Sequence, residues 1–361
     1  MHAHIIEPRA LSPGQIALWR ELQLGDPTLW SPFFSPEFTL ALGVARTDAR
    51  VAVLVEDGQV GGFLPFHLGR NRVGKPIGGP ISDYQGLISR PNLRFGAQAL
   101  LKACQLDAYD FNHAPVSQGA LGPGAYHFSL SPHMDLTGGY AGYLASQSKA
   151  GRQSLKETNR RIRKLEREVG PLRFEFNDGD AHAYGRLVAL KNASYRRLGV
   201  PSILDVAWVD RALREIRSHR NPHFAGILST LYAGDRLIAA HMGMRSSTTI
   251  CWWFNTYDDD LRIYAPGLIL LLQVAQRAAD EGLKIIDFGR GDEHYKLTYA
   301  NGSTQLCEGS IELPSSFAGR LRRLQKLGVG FFERVPLGPY QSLPRRAMAR
   351  LMTGMHLRAM P

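Results

Sequence analysis

The chain has 361 residues, 44% of them hydrophobic, with three cysteines and a formal net charge of +11. That length and apolar content exclude a disordered chain and favour two domains or one large α/β unit. The widely separated Cys104, Cys251 and Cys307 give neither a disulfide framework nor a zinc spacing. No apolar run is long enough to span a bilayer, and the amino end lacks the charged start and apolar run of a secretory signal, so cytoplasmic placement is expected.

In chain order, VAVLVED and QVGGFLPFHL are apolar runs joined through Gly58 and predict a β-hairpin. The glycine- and proline-rich stretch RNRVGKPIGGPISDYQGLISRPN predicts a long loop without regular structure, carrying Asp83 and Tyr84. A helix from about Leu93 to Cys104 and strands near LDAYDFN and HFSL complete this half.

Residues 147–173 hold nine Lys/Arg against three Asp/Glu, and residues 314–361 hold nine against one. Two basic segments beside near-neutral domains point to an anionic surface or a long anionic substrate. The predicted organisation is a first domain over 1–145, a basic connector helix over 146–171 ending at Gly170-Pro171, a second domain over 172–313 and a basic tail over 314–361.

The second domain reads more clearly. LRFEFN is a strand, Asp180 caps the following helix and Gly199-Val200-Pro201 stops it. VAWVDRALREIRSH is a second helix, and FAGILSTLYAGD, RLIAAHMGMR and TTICWWFNTYD are three strands. A helix opens at Pro266 with Leu268, Leu271, Leu272, Ala275 and Ala278 on one face and Gly282 at its end. KIIDF, the helical GDEHYKLTYA and the strand TQLCEGSIEL follow. The predicted order is β-α-α-β-β-β-α-β-α-β.

This order resembles the GNAT acyltransferase fold, in which a helix after the fourth strand receives the pyrophosphate of acyl-CoA. The strings YAPGLIL, DFGRGDEHYK and SDYQGLI resemble the CelD-type acetyltransferases associated with cellulose and exopolysaccharide biosynthesis. That group is related to Fem-type aminoacyl transferases with two GNAT-like halves. The resemblance covers about residues 3–312 and implies an α/β fold with a mixed sheet, two GNAT-like halves joined by the charged helix, and N- or O-acyl transfer from acetyl-CoA or another acyl-CoA, without a metal.

The candidate site collects around two segments. The first turn of the Pro266 helix presents backbone N–H groups and a positive dipole end, which suits a diphosphate. Pro266, Gly267 and Leu268 are therefore the donor-binding candidates, with Asn255 and Tyr257 at the end of the preceding strand nearer the acyl group. The chain departs from the family's Arg/Gln-x-x-Gly-x-Gly/Ala loop, since RIYAPGL offers one glycine. Along IAAHMGM the alternation puts His241 on a face with Ala239 and Gly243, where small neighbours leave room for a ligand and a neutral imidazole for a proton.

Asp287 stands at the end of a predicted buried strand, Gly289 and Gly291 make the turn after it, and Glu293 and Lys296 share a helix face. In the Fem-like relatives a lysine resembling Lys296 contacts an anionic part of the acceptor; Arg290, Asp83 and Tyr84 join it as acceptor-side candidates. The implied chemistry is direct transfer, with His241, Glu293 and Asp287 as the catalytic set, backbone N–H groups of the fourth strand holding the oxyanion, and no cysteine nucleophile.

Other readings of the same strings fail or compete. Asp287-Phe288-Gly289 lacks the partner motifs of a kinase. Arg290-Gly291-Asp292 has no export signal behind it, and DDDLRIYAPG puts Arg262 and Tyr264 where calcium needs oxygens. Two alternatives remain: a Fem-type transferase using aminoacyl-tRNA, gripped by the basic helix, and a non-catalytic scaffold docking on a polysaccharide synthase or the inner membrane surface through the basic tail.

Overall fold

The computed structural model describes residues 2–91, 93, 95–180, 182–316 and 319–320. In chain order its elements are β1 (His2–Ile6), α1 (Pro13–Gly25), α2 (Pro36–Ala45), β2 (Ala49–Glu56), β3 (Gln59–Leu68), β4 (Val73–Pro76), β5 (Ile88–Ser89), α3 (Ala97–Ala103), β6 (Ala108–Pro115) and β7 (Ala125–Asp135). There follow α4 (Gly139–Ser146), α5 (Lys149–Glu168), β8 (Leu172–Glu175), α6 (Ala183–Arg197), α7 (Ala207–Ser218), β9 (Phe224–Ala233), β10 (Arg236–Ser246), β11 (Thr249–Tyr257), α8 (Pro266–Asp280), β12 (Ile285–Asp287), α9 (His294–Tyr299) and β13 (Gly302–Glu312). From β8 to β13 the order is the predicted one. The basic tail, and the membrane or scaffold contact expected of it, falls outside the described residues from 321 on.

The chain divides into two compact units. The first comprises Met1–Asp26, Leu42–Phe128 and the described residues from Leu306; the second comprises Pro27–Ala41 and Ser129–Gln305. In the first unit β2 and β3 form the expected hairpin, with Glu56 opposite Gln59. Asp57 and Gly58 turn it, both with positive φ (50° and 75°), as a tight two-residue turn demands. The predicted long loop after it contains two short strands: β4 pairs with β3 and with β6, and β5 pairs with β3. Strands this short carry no readable alternation. Buried Leu54, Leu64, Phe66, Leu100, Leu106, Tyr109 and Phe111 fill the core here.

In the second unit β12 pairs antiparallel with β7 and parallel with β11, and β11, β10, β9 and β8 follow as antiparallel neighbours. The sheet is mixed, as expected. Its core gathers Ile269, Leu270, Leu271, Val274, Ala275 and Ala278 of α8 with Ile250, Trp252 and Ile286 of the strands. Residues 27–41 belong here as well, the Phe33 ring standing edge-on to Trp253 at 5.5 Å and the Trp30 carbonyl accepting from Ser246 Oγ at 2.6 Å.

Helix α5, expected as a connector, folds with this second unit. Ser148 caps it by accepting from Gly151 N–H. Its Leu155 and Leu165 are buried in the second unit's core, while Arg152, Lys156 and Arg163 face solvent. The same amphipathic stripe that looks like a linker in sequence is therefore a packing face. Leu165→Ala is expected to lower unfolding free energy by ~2–5 kcal/mol, and Lys156→Ala to change it by less than ~0.5 kcal/mol, in urea titrations followed by circular dichroism.

Candidate functional site

The site is built where two strands part. β12 has three residues, and its pairing with β11 covers Thr249 to Cys251 against Ile285 to Asp287. β11 runs on to Tyr257 without that partner. Asp287 ends β12: its buried Oδ1 accepts from Ser131 Oγ at 2.9 Å and from Gly289 N–H at 2.7 Å, which turns the backbone out of the sheet. Asp287 therefore acts on its own turn and on β7.

The turn itself is held from inside. Gly289 and Gly291 have positive φ, and a Cβ at Gly291 would run into the Glu293 carboxylate and the Lys296 ammonium. Lys296 is buried, 6% exposed, and its ammonium donates to the Arg290 carbonyl at 3.0 Å and the Gly289 carbonyl at 3.5 Å and pairs with Glu293 at 3.0 Å. A buried ammonium must be matched in this way. Lys296 thus fastens the turn, and Glu293, with its side chain 58% exposed, is the member of that pair open to solvent.

One residue before Lys296 on the same helix, Tyr295 points back to β11. Burial, with the nearby Glu293 charge, pushes the pKa of its phenol up to about 12, against an opposing pull from the nearby side chains of Asn255 and Trp252. It is a neutral hydrogen-bonding post at physiological pH. The Asn255 carbonyl accepts from Lys191 Nζ of α6 at 2.8 Å, and burial pulls that lysine down to about 8. Lys191 and Tyr295 were not among the expected site residues. A signal for Lys191 does exist, since it follows buried Tyr184 and Leu187 on the inward stripe of α6.

At the donor end, α8 starts at buried Pro266 behind Ala265, which has φ 53° and supplies no side-chain cap. Leu268 and Ile269 N–H groups bond to the Ala265 carbonyl at 3.0 and 3.3 Å. The Tyr257 ring lies over Gly267, where a Cβ would stand 3.4 Å from its Cδ1, in contact but not in collision. Leu268 packs partly against the core. Three carboxylates just before this helix would oppose an anion, yet Asp258 and Asp260 are paired with Arg236 at 2.6 and 3.0 Å and Asp259 with Arg197 at 3.2 Å. Arg262 in the same turn is exposed.

His241 stands in a setting different from the expected one. It is fully buried, its ring stacks on Trp252 at 4.2 Å, and its Nε2 lies 3.1 Å from the Cys251 carbonyl. Here β11 carries a bulge, with Trp252 and Trp253 together opposite the single Gly243. A Cβ at Gly243 would come within 2.5 Å of the imidazole. The small neighbour makes room for the histidine itself, not for a ligand, and burial pulls its pKa down to about 3. His241 packs the bulge and is withdrawn from the expected proton-accepting role.

Asp83 and Tyr84 lie in the first unit, in the loop before β5. Tyr84 is buried and its carbonyl accepts from Ser82 Oγ at 2.8 Å, while the Gln85 side chain ties the loop to Asn112 of β6 at 2.7 Å. All three cysteines are buried, and burial pushes the Cys104 thiol up to about 12 and raises that of Cys307. No group of three or more His, Cys, Asp or Glu residues able to hold a metal ion occurs among the described residues.

Residues 152–297 match the family model described as an acetyltransferase (GNAT) domain. No curated protein matches the chain. Among solved structures, FemX superposes with a TM-score of 0.59 at 13% identity, over 89% of this chain and 99% of its own. A conserved protein of unknown function from Bacteroides thetaiotaomicron gives 0.53 at 10% identity, over 85% and 99%. A domain named as the C-terminal domain of a lysylphosphatidylglycerol synthetase, from Agrobacterium fabrum, gives 0.52 at 10% identity, over 87% and 97%. Residues 152–297, all within the second unit, are thus similar to a GNAT acetyltransferase domain, and the superposed structures share the fold.

The His241 environment sets a pH dependence of stability. Its folded pKa lies below the ordinary 6.5, so the unfolded chain takes up a proton that the folded chain refuses. Its contribution is intact above pH 6.5 and falls by about 1.4 kcal/mol per pH unit as pH drops from there toward about 3. Urea midpoints measured at several pH values should show a shallower acid slope for His241→Gln than for the parent.

Proposed function

We propose that the chain transfers an acyl group, acetyl in the simplest case, from acyl-CoA to an amine or hydroxyl of an acceptor in polysaccharide or cell-envelope synthesis. The observation that carries this reading is the parting of β11 from β12 beside the uncapped start of α8. A strand edge without its neighbour offers backbone N–H and C=O groups to a bound thioester, and the helix start offers a positive end to its diphosphate. Pro266 and Gly267 receive the diphosphate, Arg262 stands by it, and Asn255 and Tyr257 flank the acyl end.

The chemistry is an addition followed by an elimination. The acceptor's lone pair adds to the thioester carbon, β11 backbone N–H groups hold the oxyanion, and collapse breaks the C–S bond to release the CoA thiolate. The acceptor's proton passes to Glu293, the solvent-facing carboxylate of the turn, and on to the thiolate. With the cysteine thiols buried, transfer is direct. The acetyltransferase domain match and the CelD-like strings support this reading over the scaffold. The aminoacyl-tRNA alternative has one observation in its favour, the exposed cations Arg152, Lys156 and Arg163 of α5.

Calorimetry distinguishes the donors. The parent should bind acetyl-CoA, Gly267→Ala should bind within about threefold because its Cβ has space, and Gly267→Asp should lose binding by about tenfold or more through repulsion of the diphosphate. Salt-sensitive tRNA binding together with no heat from any CoA species would overturn the acyl-CoA donor.

A further inference from the structure

Lys191 has no part in the reaction above. It sits on the inward stripe of α6 one turn after Leu187, which is fully buried, so helix packing carries its ammonium inward. There it meets the Asn255 carbonyl at 2.8 Å and lies 5.4 Å from the centre of the Tyr195 ring. That carbonyl belongs to the half of β11 that β12 has left. A carbonyl is a dipole and not a counter-charge, so this bond leaves the ammonium's charge without an opposite one.

The nearby acids are engaged elsewhere. Asp258 and Asp260 go to Arg236, Asp259 to Arg197 and Glu293 to Lys296, and Asp205 accepts from the Asn192 side chain, next in the chain to Lys191, at 2.9 Å. Among the described residues no carboxylate pairs with Lys191, and burial pulls its pKa down to about 8. A part-buried cation left without a charge partner is costly for the protein alone, and an incoming anion relieves that cost.

We propose that Lys191 is the anchor for a carboxylate on the acyl acceptor, holding it beside the unpaired half of β11 where the attacking group must arrive. The assignment of that carboxylate to an acceptor rests on the acyl-transfer reading; the anion site rests on α6 and β11 alone. One ammonium without a guanidinium fork matches a single negative charge, whereas a phosphate or diphosphate calls for several convergent donors. The acceptor class is therefore a carboxylated amine or alcohol, such as an amino acid or an acidic sugar.

The test is a titration of Lys191 by NMR on protein carrying 13C-labelled lysine, with the signal identified from its absence in Lys191→Arg. In chloride the midpoint should lie at about 8, and in ~100 mM propionate at equal ionic strength it should rise by ~0.5 pH unit or more. No rise overturns the proposal, and a rise with inorganic phosphate but none with propionate overturns the carboxylate assignment. Acetyl-CoA affinity of Lys191→Met, measured in parallel, should stay within about twofold of the parent; its loss would place Lys191 on the donor and overturn the acceptor role. Absence of acetyl-CoA binding by the parent, with the propionate shift intact, would sink the donor reading and leave the carboxylate site standing.

Discussion

The second unit depends on how one carboxylate is satisfied. Asp287 is buried, and a buried carboxylate must collect donors; it takes a hydroxyl from Ser131 and the Gly289 N–H two residues on. The second of these bends the chain away from the sheet after a strand of three residues. Everything that makes a site follows from that early stop: β11 keeps a free edge, the glycine turn and α9 come round to face it, and Tyr295 reaches across to Asn255.

Charge is distributed with the same economy. Around the start of α8 three aspartates would repel any anion, and two arginines neutralise them. In the turn, Lys296 serves its own backbone carbonyls and Glu293. The lysine expected to meet a substrate is thereby a structural tie, whereas Lys191, on a distant helix, donates to a carbonyl of the strand edge. Sequence proximity to a glycine turn is a poor guide to which ammonium is available, because burial decides which charges must be consumed internally.

Much of the fold was legible in the chain. The whole order from β8 to β13 followed from periodicity and from Pro266, Gly199 and Gly282, because long amphipathic helices and full-length strands carry a strong periodic signal. The short β4 and β5 did not, since a pattern needs more residues than they have. Residues 27–41 fold with the second unit through contacts such as Phe33 on Trp253, which no local pattern encodes. Of the site, Asp287, Glu293 and Lys296 were found as a cluster, but their roles depended on burial. Tyr295 escaped because its partners Trp252 and Asn255 lie far back in the chain, whereas Lys191 was visible as a lysine on an apolar helix face.

The bulge at Gly243 has a consequence for the arithmetic of β11. In a regular strand, residues three apart point to opposite faces, yet the side chains of Trp252 and Asn255 both act on the Tyr295 phenol. The extra residue opposite Gly243 shifts the parity of the strand by one, and His241 is the wedge that keeps the shift in place. The aromatic run Trp252-Trp253-Phe254 is therefore a counting device: its length, more than its hydrophobicity, decides which side chains downstream look into the cleft.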